Sequence, residues 1–327
     1  MNIDTILYRR AVAALLFCFL TLVAGCEWLT PSPTEAASRP PSQNSFIPYI
    51  SPIRGVQSRS EASGPKARFA VIGDFGAPGK PAEDVAELAK SWNPDFIVTV
   101  GDNNYPKGAA ETIEENIGKY YSGFIRPYAG VYGTGANENR FFPVLGNHDW
   151  DTAGAAPYLD YFALPGNERY YVIDWGELAL FALDSDPREP DGTSVSSRQA
   201  QWLKEELKDS NACWKLVYMH HPPFSSGRHG SSAYMQWPYA SWGADAVLSG
   251  HDHVYERVVK DAMVYFVNGL GGRSIYQFSS SIAGSMVRFN QDYGAMLVEV
   301  WDGEVIFKFV SRAGAVIDEY SKKKTCP

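Results

Sequence analysis

Aspartate, asparagine and histidine residues recur in this sequence directly after short apolar runs, and their types are suited to metal binding. All six histidines fall between residues 148 and 253, and five of them lie in such positions. Carboxylate, amide and imidazole groups supply the oxygen and nitrogen ligands that iron, zinc and manganese accept. The recurring candidates are Asp74, Asp102, Asn147, His220, His251 and His253.

Each of these residues alone has an ordinary structural explanation. A single Asp after a strand is commonly a helix cap, a single Asn a turn residue, and a single His a hydrogen-bonded polar group. The joint pattern argues otherwise, because each candidate follows an apolar run and most are introduced by glycine. We therefore predict that they form a metal site.

The apolar runs indicate β-strands that deliver the candidates to one place. The five runs lie at residues 68–72, 96–100, 141–145, 214–219 and 246–248. Helical patterns follow at 81–92 and 197–208. Because ligands bind at the C-terminal ends of strands in open α/β sheets, we expect the polar residues to meet there.

A change of pattern later in the chain predicts a second sheet. Asp302-Gly303 separates alternating runs at 295–300 and 305–310, which is a strong hairpin signal, and 178–183 predicts a further strand. We expect a second, more antiparallel sheet packed on the first, with helices outside. The predicted class is α/β.

The N-terminal region indicates export. Arg9 and Arg10 precede an apolar run, 11–24, that is short for a membrane span and typical of a leader. The segment Leu22-Val23-Ala24-Gly25-Cys26 resembles the bacterial lipoprotein cleavage box, in which Cys26 carries the lipid. An ordinary signal peptide and a retained apolar helix are the alternatives.

Three segments are predicted from this composition. Residues 1–25 form the signal peptide, and 26–65 form the lipid-attachment site and a disordered linker rich in Ser, Pro and Ala. Residues 66–327 form one catalytic domain.

Two cysteines of that domain, Cys213 and Cys326, could pair in an oxidising compartment. A half-buried Cys213 with a free Cys326 is the alternative.

The net charge limits the class of partner. A formal charge of -8 without long acidic blocks argues against nucleic acid, because phosphate backbones attract basic surfaces. A small anionic substrate would need local positive charge, such as a metal.

Five sequence blocks resemble those of the calcineurin-like metallophosphoesterases. They are Gly73-Asp74-Phe75-Gly76, Gly101-Asp102-Asn103-Asn104-Tyr105, Gly146-Asn147-His148-Asp149, Met219-His220-His221-Pro222 and Gly250-His251-Asp252-His253. More narrowly they resemble the purple acid phosphatases, including the tartrate-resistant type, and Val254-Tyr255-Glu256-Arg257 is similar to plant members. The resemblance implies a four-layer α-β-β-α sandwich of two mixed sheets with flanking helices.

One substitution separates branches of that superfamily. Most members carry a histidine ligand where this chain has Gly76, which has no side chain to bind a metal. Tyr105 is similar to the phenolate ligand that purple acid phosphatases use instead, although a packed aromatic is its ordinary explanation. A phenolate favours a hard, highly charged ion, so the resemblance implies Fe(III).

The resemblance also implies roles for the other residues. Fe(III) would be held by Asp74, Asp102, Tyr105 and His253. A divalent Fe, Zn or Mn would be held by Asp102, Asn147, His220 and His251, with Asp102 bridging. The choice of His220 over His221 rests on the resemblance. His148 would contact the substrate or protonate the leaving group, with Asp149 orienting it. His229 matches a substrate-pocket histidine, and an exposed loop histidine is the alternative.

The expected reaction is hydrolysis of phosphomonoesters, an acid phosphatase activity, by a metal-bridging or Fe-bound hydroxide. Small phosphate esters are the expected partners, and membrane contact is expected only through a lipid on Cys26, in a periplasmic or cell-surface bacterial lipoprotein. The alternatives are a phosphodiesterase or nucleotidase with two divalent metals, and a non-catalytic phosphate-binding lipoprotein. A protein Ser/Thr phosphatase is disfavoured, because the histidine is missing at Gly76.

Overall fold

The computed structural model describes residues 64–326. The predicted signal peptide, Cys26 and nearly all of the predicted linker lie outside this range. The strands are β1 (Ala67–Ile72), β2 (Phe96–Thr99), β3 (Phe141–Pro143), β4 (Tyr171–Trp175), β5 (Leu178–Ala182), β6 (Trp214–Tyr218), β7 (Ala246–Ser249), β8 (Tyr255–Lys260), β9 (Met263–Asn268), β10 (Ser285–Phe289), β11 (Gly294–Trp301), β12 (Glu304–Ser311) and β13 (Val316–Lys323).

The helices are mostly short. The α-helices are α1 (Lys80–Ser91), α2 (Ala110–Ile113), α3 (Lys119–Tyr121), α4 (Asn147–Trp150), α5 (Ala156–Tyr161), α6 (Arg198–Asp209) and α7 (Tyr239–Trp242). A π-helical segment, Glu114–Gly118, joins α2 to α3. Single 3₁₀ turns occur at Ser122–Phe124, Ala153–Ala155 and Ala233–Met235.

The strands form two mixed sheets. The first sheet has the order β13-β12-β11-β1-β2-β3, in which β1, β2 and β3 are parallel and the other pairs are antiparallel. The second has the order β10-β8-β9-β7-β6-β5-β4, in which β5, β6, β7 and β9 are parallel. The α/β class is confirmed.

The two sheets pack face to face between outer helices. Along β5, Leu178 and Leu180 belong to the core between the sheets, while Ala179 and Phe181 pack into a second core under α6 and α7. Because both faces of such strands are buried, they are continuously apolar rather than alternating. Helix α1 packs against β11 on the first sheet. This is the predicted four-layer α-β-β-α sandwich.

The division of strands between the sheets differs from the expectation. The predicted hairpin, β11 and β12, extends the first sheet by pairing β11 antiparallel to β1. Strands β6 and β7, which were expected in the same sheet as β1, belong to the second sheet. An apolar run predicts a strand but not its hydrogen-bonding partner, which is set by the packing of the whole chain.

Strands β4, β8, β9, β10 and β13 are not predicted by the local sequence patterns. The tight turn between β8 and β9 consists of Asp261 and Ala262, with φ values of 51° and 61°. Such a turn normally signals itself through Asn-Gly or Asp-Gly, so an alanine at the second position hides it. The two longer predicted helices were placed within one residue of α1 and α6.

The Cys213 and Cys326 sulfurs form a disulfide, with Cα atoms 5.2 Å apart, which ties the C-terminal end of the chain to the start of β6. Within residues 64–326, no helix combines the length and apolar character needed to cross a bilayer.

Candidate metal centre

The candidate residues converge at the C-terminal ends of strands from both sheets. Asp74 and Asp102 follow the parallel neighbours β1 and β2, and the Asp74 amide donates to the Gly101 carbonyl at 3.1 Å. Asp74 and Asp102 have φ values of 55° and 53°, and His251 after β7 has 70°. Left-handed backbone costs a non-glycine residue about 1 kcal/mol or more. The surrounding structure therefore holds these residues in a strained but defined orientation.

Glycine precedes several candidates because their neighbours occupy the space of a side chain. A Cβ on Gly250 would lie 2.6 Å from a carboxylate oxygen of Asp74. A Cβ on Gly101, where φ is 88°, would lie 2.5 Å from the ring of His220. The glycine pattern of the sequence thus follows from close packing of the candidate ligands themselves.

One group of donors surrounds the Tyr105 hydroxyl. That oxygen lies 2.7 Å from Asp102 Oδ2, 3.3 Å from Asp74 Oδ1 and 3.1 Å from His253 Nε2. His253 Nε2 is itself 3.3 Å from Asp74 Oδ1. These four side chains are buried and present oxygen and nitrogen donors to a common point.

A second group surrounds Nε2 of His220. This atom lies 3.1 Å from Asn147 Oδ1, 3.4 Å from Asp102 Oδ1 and 3.2 Å from His251 Nδ1. Asp102 therefore contributes one carboxylate oxygen to each group. Donor atoms of Asp74, Asp102 and His220 all lie within 4.8 Å of one another.

The hydrogen bonding of His220 shows that this donor set fits a cation. Its Nδ1 lies 2.8 Å from the carbonyl oxygen of Val100, which can only accept. Nδ1 must carry the proton, so in the neutral ring the lone pair of Nε2 faces the acceptor oxygens of Asp102 and Asn147. Lone pairs facing one another in a buried site are stabilised by a positive ion between them, and the backbone bond to Nδ1 orients the ring for it.

Burial shifts the pKa values of four of these side chains. It raises the pKa of Asp74 well above its usual range, with a further contribution from the Asp102 carboxylate, and it also raises the pKa of Tyr105. Burial lowers the pKa of His253 to about 4 and lowers the pKa of His251 further still. These two imidazoles are therefore in the neutral, metal-binding form, and a bound cation would favour ionisation of Asp74 and Tyr105.

His148 borders the centre without joining either donor group. Its Nδ1 lies 2.7 Å from the Pro106 carbonyl oxygen, and its ring centre is 4.4 Å from that of Tyr105. Its Nε2 lies 3.9 Å from Asp102 Oδ2, and the side chain is 34 % exposed.

The prediction that Asp149 orients His148 is wrong. The Asp149 carboxylate accepts from the Gly146 amide at 2.8 Å and from the Asn103 side chain at 2.9 Å. Asp149 is the third residue of α4, and its side chain turns back to the start of that helix, whereas His148 is rotated about 100° from it. Through these two hydrogen bonds, Asp149 links the loop that carries Asp102 to the loop that carries Asn147.

His229 lies over the site rather than apart from it. Its ring centre is 4.3 Å from that of His251, and its backbone amide donates to the buried Asp252 carboxylate at 2.7 Å. His229 is exposed and lies on a loop, as the alternative of an exposed loop histidine predicts. The loop is nevertheless fixed beside the candidate ligand His251. Partial burial lowers the pKa of the imidazole.

Two further side chains, to which the sequence patterns gave no role, lie at the site. His221 is buried with Nδ1 3.0 Å from Ser185 Oγ, and its ring lies 4.5 Å from His251. Tyr276 stacks on His253 with ring centres 4.1 Å apart and planes within 5°. His221 was visible as part of a His-His pair, but nothing in the local sequence marks Tyr276, which follows in an irregular loop.

Comparison with known proteins agrees with this architecture. Residues 67–255 match the family described as calcineurin-like phosphoesterase, and the chain belongs to that family. Its class is therefore that of hydrolases acting on phosphoric ester bonds.

Three relatives illustrate the similarity. Purple acid phosphatase 17 of Arabidopsis thaliana is 26% identical over 63% of this chain and 68% of its own length. Purple acid phosphatase 3 of the same plant is 26% identical over 78% and 77%. Tartrate-resistant acid phosphatase type 5 of Mus musculus is 25% identical over 63% and 73%.

Two solved structures share the fold. Purple acid phosphatase PPD1 from yellow lupin aligns with a TM-score of 0.64 at 16% identity, over 79% of this chain and 54% of its own. GAP50, described as the anchor in the inner membrane complex of Plasmodium, aligns with a TM-score of 0.59 at 21% identity, over 80% and 89%.

We expect Asn147→Ala to weaken binding of one metal ion at least about tenfold, because it removes an oxygen donor from the His220 group. His148→Ala is the matched control and should retain both ions, since its ring joins neither donor group. Elemental analysis of the purified variants measures both effects. An empty centre in His148→Ala would contradict the assignment.

Proposed function

We propose that this chain is a phosphomonoesterase of the purple acid phosphatase type. Asp74, Asp102, Tyr105 and His253 would hold Fe(III), and Asp102, Asn147, His220 and His251 would hold divalent Fe, Zn or Mn. The observation that carries the proposal is the Tyr105 hydroxyl, placed within 3.3 Å of Asp74, Asp102 and His253. A tyrosine packed only as an aromatic would not need its oxygen at this point.

The environment of Gly76 supports Fe(III) over a pair of divalent ions. A Cβ on Gly76 would overlap the backbone of Asn103, so no histidine fits at this position without moving the loop. Tyr105 offers an oxygen donor in its place. Three negatively charged donors on one ion favour a hard trivalent cation over a divalent one.

Bound ions would supply Lewis acidity toward water and toward the phosphate oxygens of the ester. The chain supplies the remaining functions. His148 would act in its imidazolium form: Nδ1–H donates to the Pro106 carbonyl, and Nε2–H would give its proton to the departing alkoxide, which leaves the ring neutral. Asp149 keeps Asp102 and Asn147 in place through Asn103 and Gly146. The expected substrates are small phosphate esters.

Metal-loaded protein should hydrolyse an aryl phosphate monoester at acidic pH at least about tenfold faster than the matching diester. His148→Ala should lower kcat about 100-fold, the usual contribution of a positioned general acid. Steady-state kinetics with both esters provide the test. If loaded protein showed no turnover of either ester across pH, the non-catalytic reading would be correct, and faster diester cleavage would favour a phosphodiesterase.

The visible spectrum tests the iron assignment. A tyrosinate bound to Fe(III) gives a charge-transfer band, so the loaded protein should be coloured and Tyr105→Phe should lose the band entirely. Tyr276→Phe is the matched control, since Tyr276 stacks on His253 without a donor role. A band that survives in Tyr105→Phe, or vanishes in Tyr276→Phe, would assign the colour to another residue.

We further propose that residues 1–25 are a lipoprotein signal peptide, that 26–65 carry a lipid on Cys26 and form a tether, and that 66–327 form the catalytic domain. The disulfide between Cys213 and Cys326 supports an exported location, because such bonds persist in oxidising compartments.

Cys26→Ser should move the expressed protein from the membrane fraction to the soluble fraction, because it removes the site of lipid attachment. Fractionation and immunoblotting measure this. An unchanged membrane fraction would support a retained apolar helix in place of the lipid.

A further inference from the structure

Two exposed arginines flank the metal centre on aromatic rings that belong to it. The guanidinium carbon of Arg273 lies 5.1 Å from the ring centre of Tyr105, and that of Arg228 lies 5.4 Å from the ring centre of Tyr276. Tyr276 in turn stacks on His253. Both cations therefore border the half of the centre that contains Tyr105 and His253.

Neither guanidinium has a carboxylate partner within the described part of the chain. Many other arginines are neutralised, and those that form ion pairs include Arg68, Arg169, Arg188, Arg198, Arg257 and Arg312. An arginine without an acidic partner, in a chain of net charge -8, is available to bind an anion from solution.

The backbone holds both arginines in register with the candidate ligands. The Arg273 amide donates to the carbonyl oxygen of Asp74 at 3.0 Å. Arg228 precedes His229, whose amide is fixed on Asp252 at 2.7 Å. The side chains are exposed, but their points of attachment are fixed relative to the metal centre, as a specific subsite requires.

We propose that Arg228 and Arg273 form a second anion-binding subsite, which favours phosphate esters whose leaving group carries an additional anionic group. This inference rests on the proposed function. A guanidinium group binds carboxylate and phosphate alike through paired N–H donors, so either can be the second anion. The scissile phosphate lies at the metal centre, and the second anion extends toward the rim. Hydrolysis adds water across the P–O bond and releases phosphate and the anionic leaving group.

Three substrates separate the two sources of negative charge: phenyl phosphate, 4-carboxyphenyl phosphate and inorganic pyrophosphate. In Arg228→Gln and Arg273→Gln we expect kcat/KM for 4-carboxyphenyl phosphate and for pyrophosphate, which carry a second anionic group, to fall about tenfold relative to kcat/KM for phenyl phosphate. Loss of a charge-assisted hydrogen bond predicts a change of this size. Loss confined to pyrophosphate identifies phosphate as the second anion, and loss confined to the carboxyphenyl ester identifies carboxylate.

Arg140→Gln is the matched control. Arg140 also stacks on an aromatic ring, 4.6 Å from the centre of Phe124, but it precedes β3 at the opposite end of the sheet from the site. It should leave the kinetics of all three substrates unchanged. Equal losses of kcat/KM on all three substrates in Arg228→Gln and Arg273→Gln, or no loss on any of them, would overturn the proposed subsite.

A binding measurement keeps this test separate from the proposed function. Calorimetry of metal-loaded protein should show that methylenediphosphonate binds about tenfold more weakly to Arg228→Gln and to Arg273→Gln than to the wild type. The affinity for inorganic phosphate should change less. If the wild type hydrolysed none of the three substrates, the proposed function would fail while the binding data still decided the subsite. Equal weakening of both ligands would contradict it.

Discussion

The structure depends on one electrostatic constraint: buried acceptor groups face one another at the end of both sheets. His220 shows this most directly, because its Nδ1 donates to the Val100 carbonyl and its Nε2 lone pair is directed at oxygens of Asp102 and Asn147. Burying such groups without compensation costs several kcal/mol. Positive ions bound between them would remove that cost. The left-handed backbone at Asp74 and Asp102 is the conformational strain that accompanies this placement of the donors.

The two sheets divide the donor chemistry between them. The first sheet supplies the oxygen donors, from Asp74, Asp102, Tyr105 and Asn147 at the ends of β1, β2 and β3. The second supplies the imidazoles, from His220 after β6 and from His251 and His253 after β7. An ion at this junction is bound by both sheets at once. The same sandwich occurs in a Plasmodium protein described as an anchor, so the fold alone does not establish catalysis. Any activity of this chain depends on these side chains.

Local sequence predicted the strand ends well because each combines an apolar run, a glycine and a polar residue. The parallel strands and the residues they deliver could be identified in this way. The partners of the strands could not, since β11 joins β1 across more than 200 residues. Asp149 was assigned by its neighbour in sequence, but adjacent residues on a helix point in different directions, and its carboxylate binds Asn103. Tyr276, Arg228 and Arg273 lie on loops and contact aromatic rings of the site. No local sequence pattern predicts these contacts.

The identity and position of the ions can be measured by diffraction from crystals of the metal-loaded protein, with anomalous data collected on both sides of the iron absorption edge. We expect two anomalous peaks about 3.5–4 Å apart, the spacing of two-metal sites, with the Asp102 carboxylate between them and the iron-specific peak beside Tyr105. A single peak, or an iron peak on the His220 side of Asp102, would contradict this expectation.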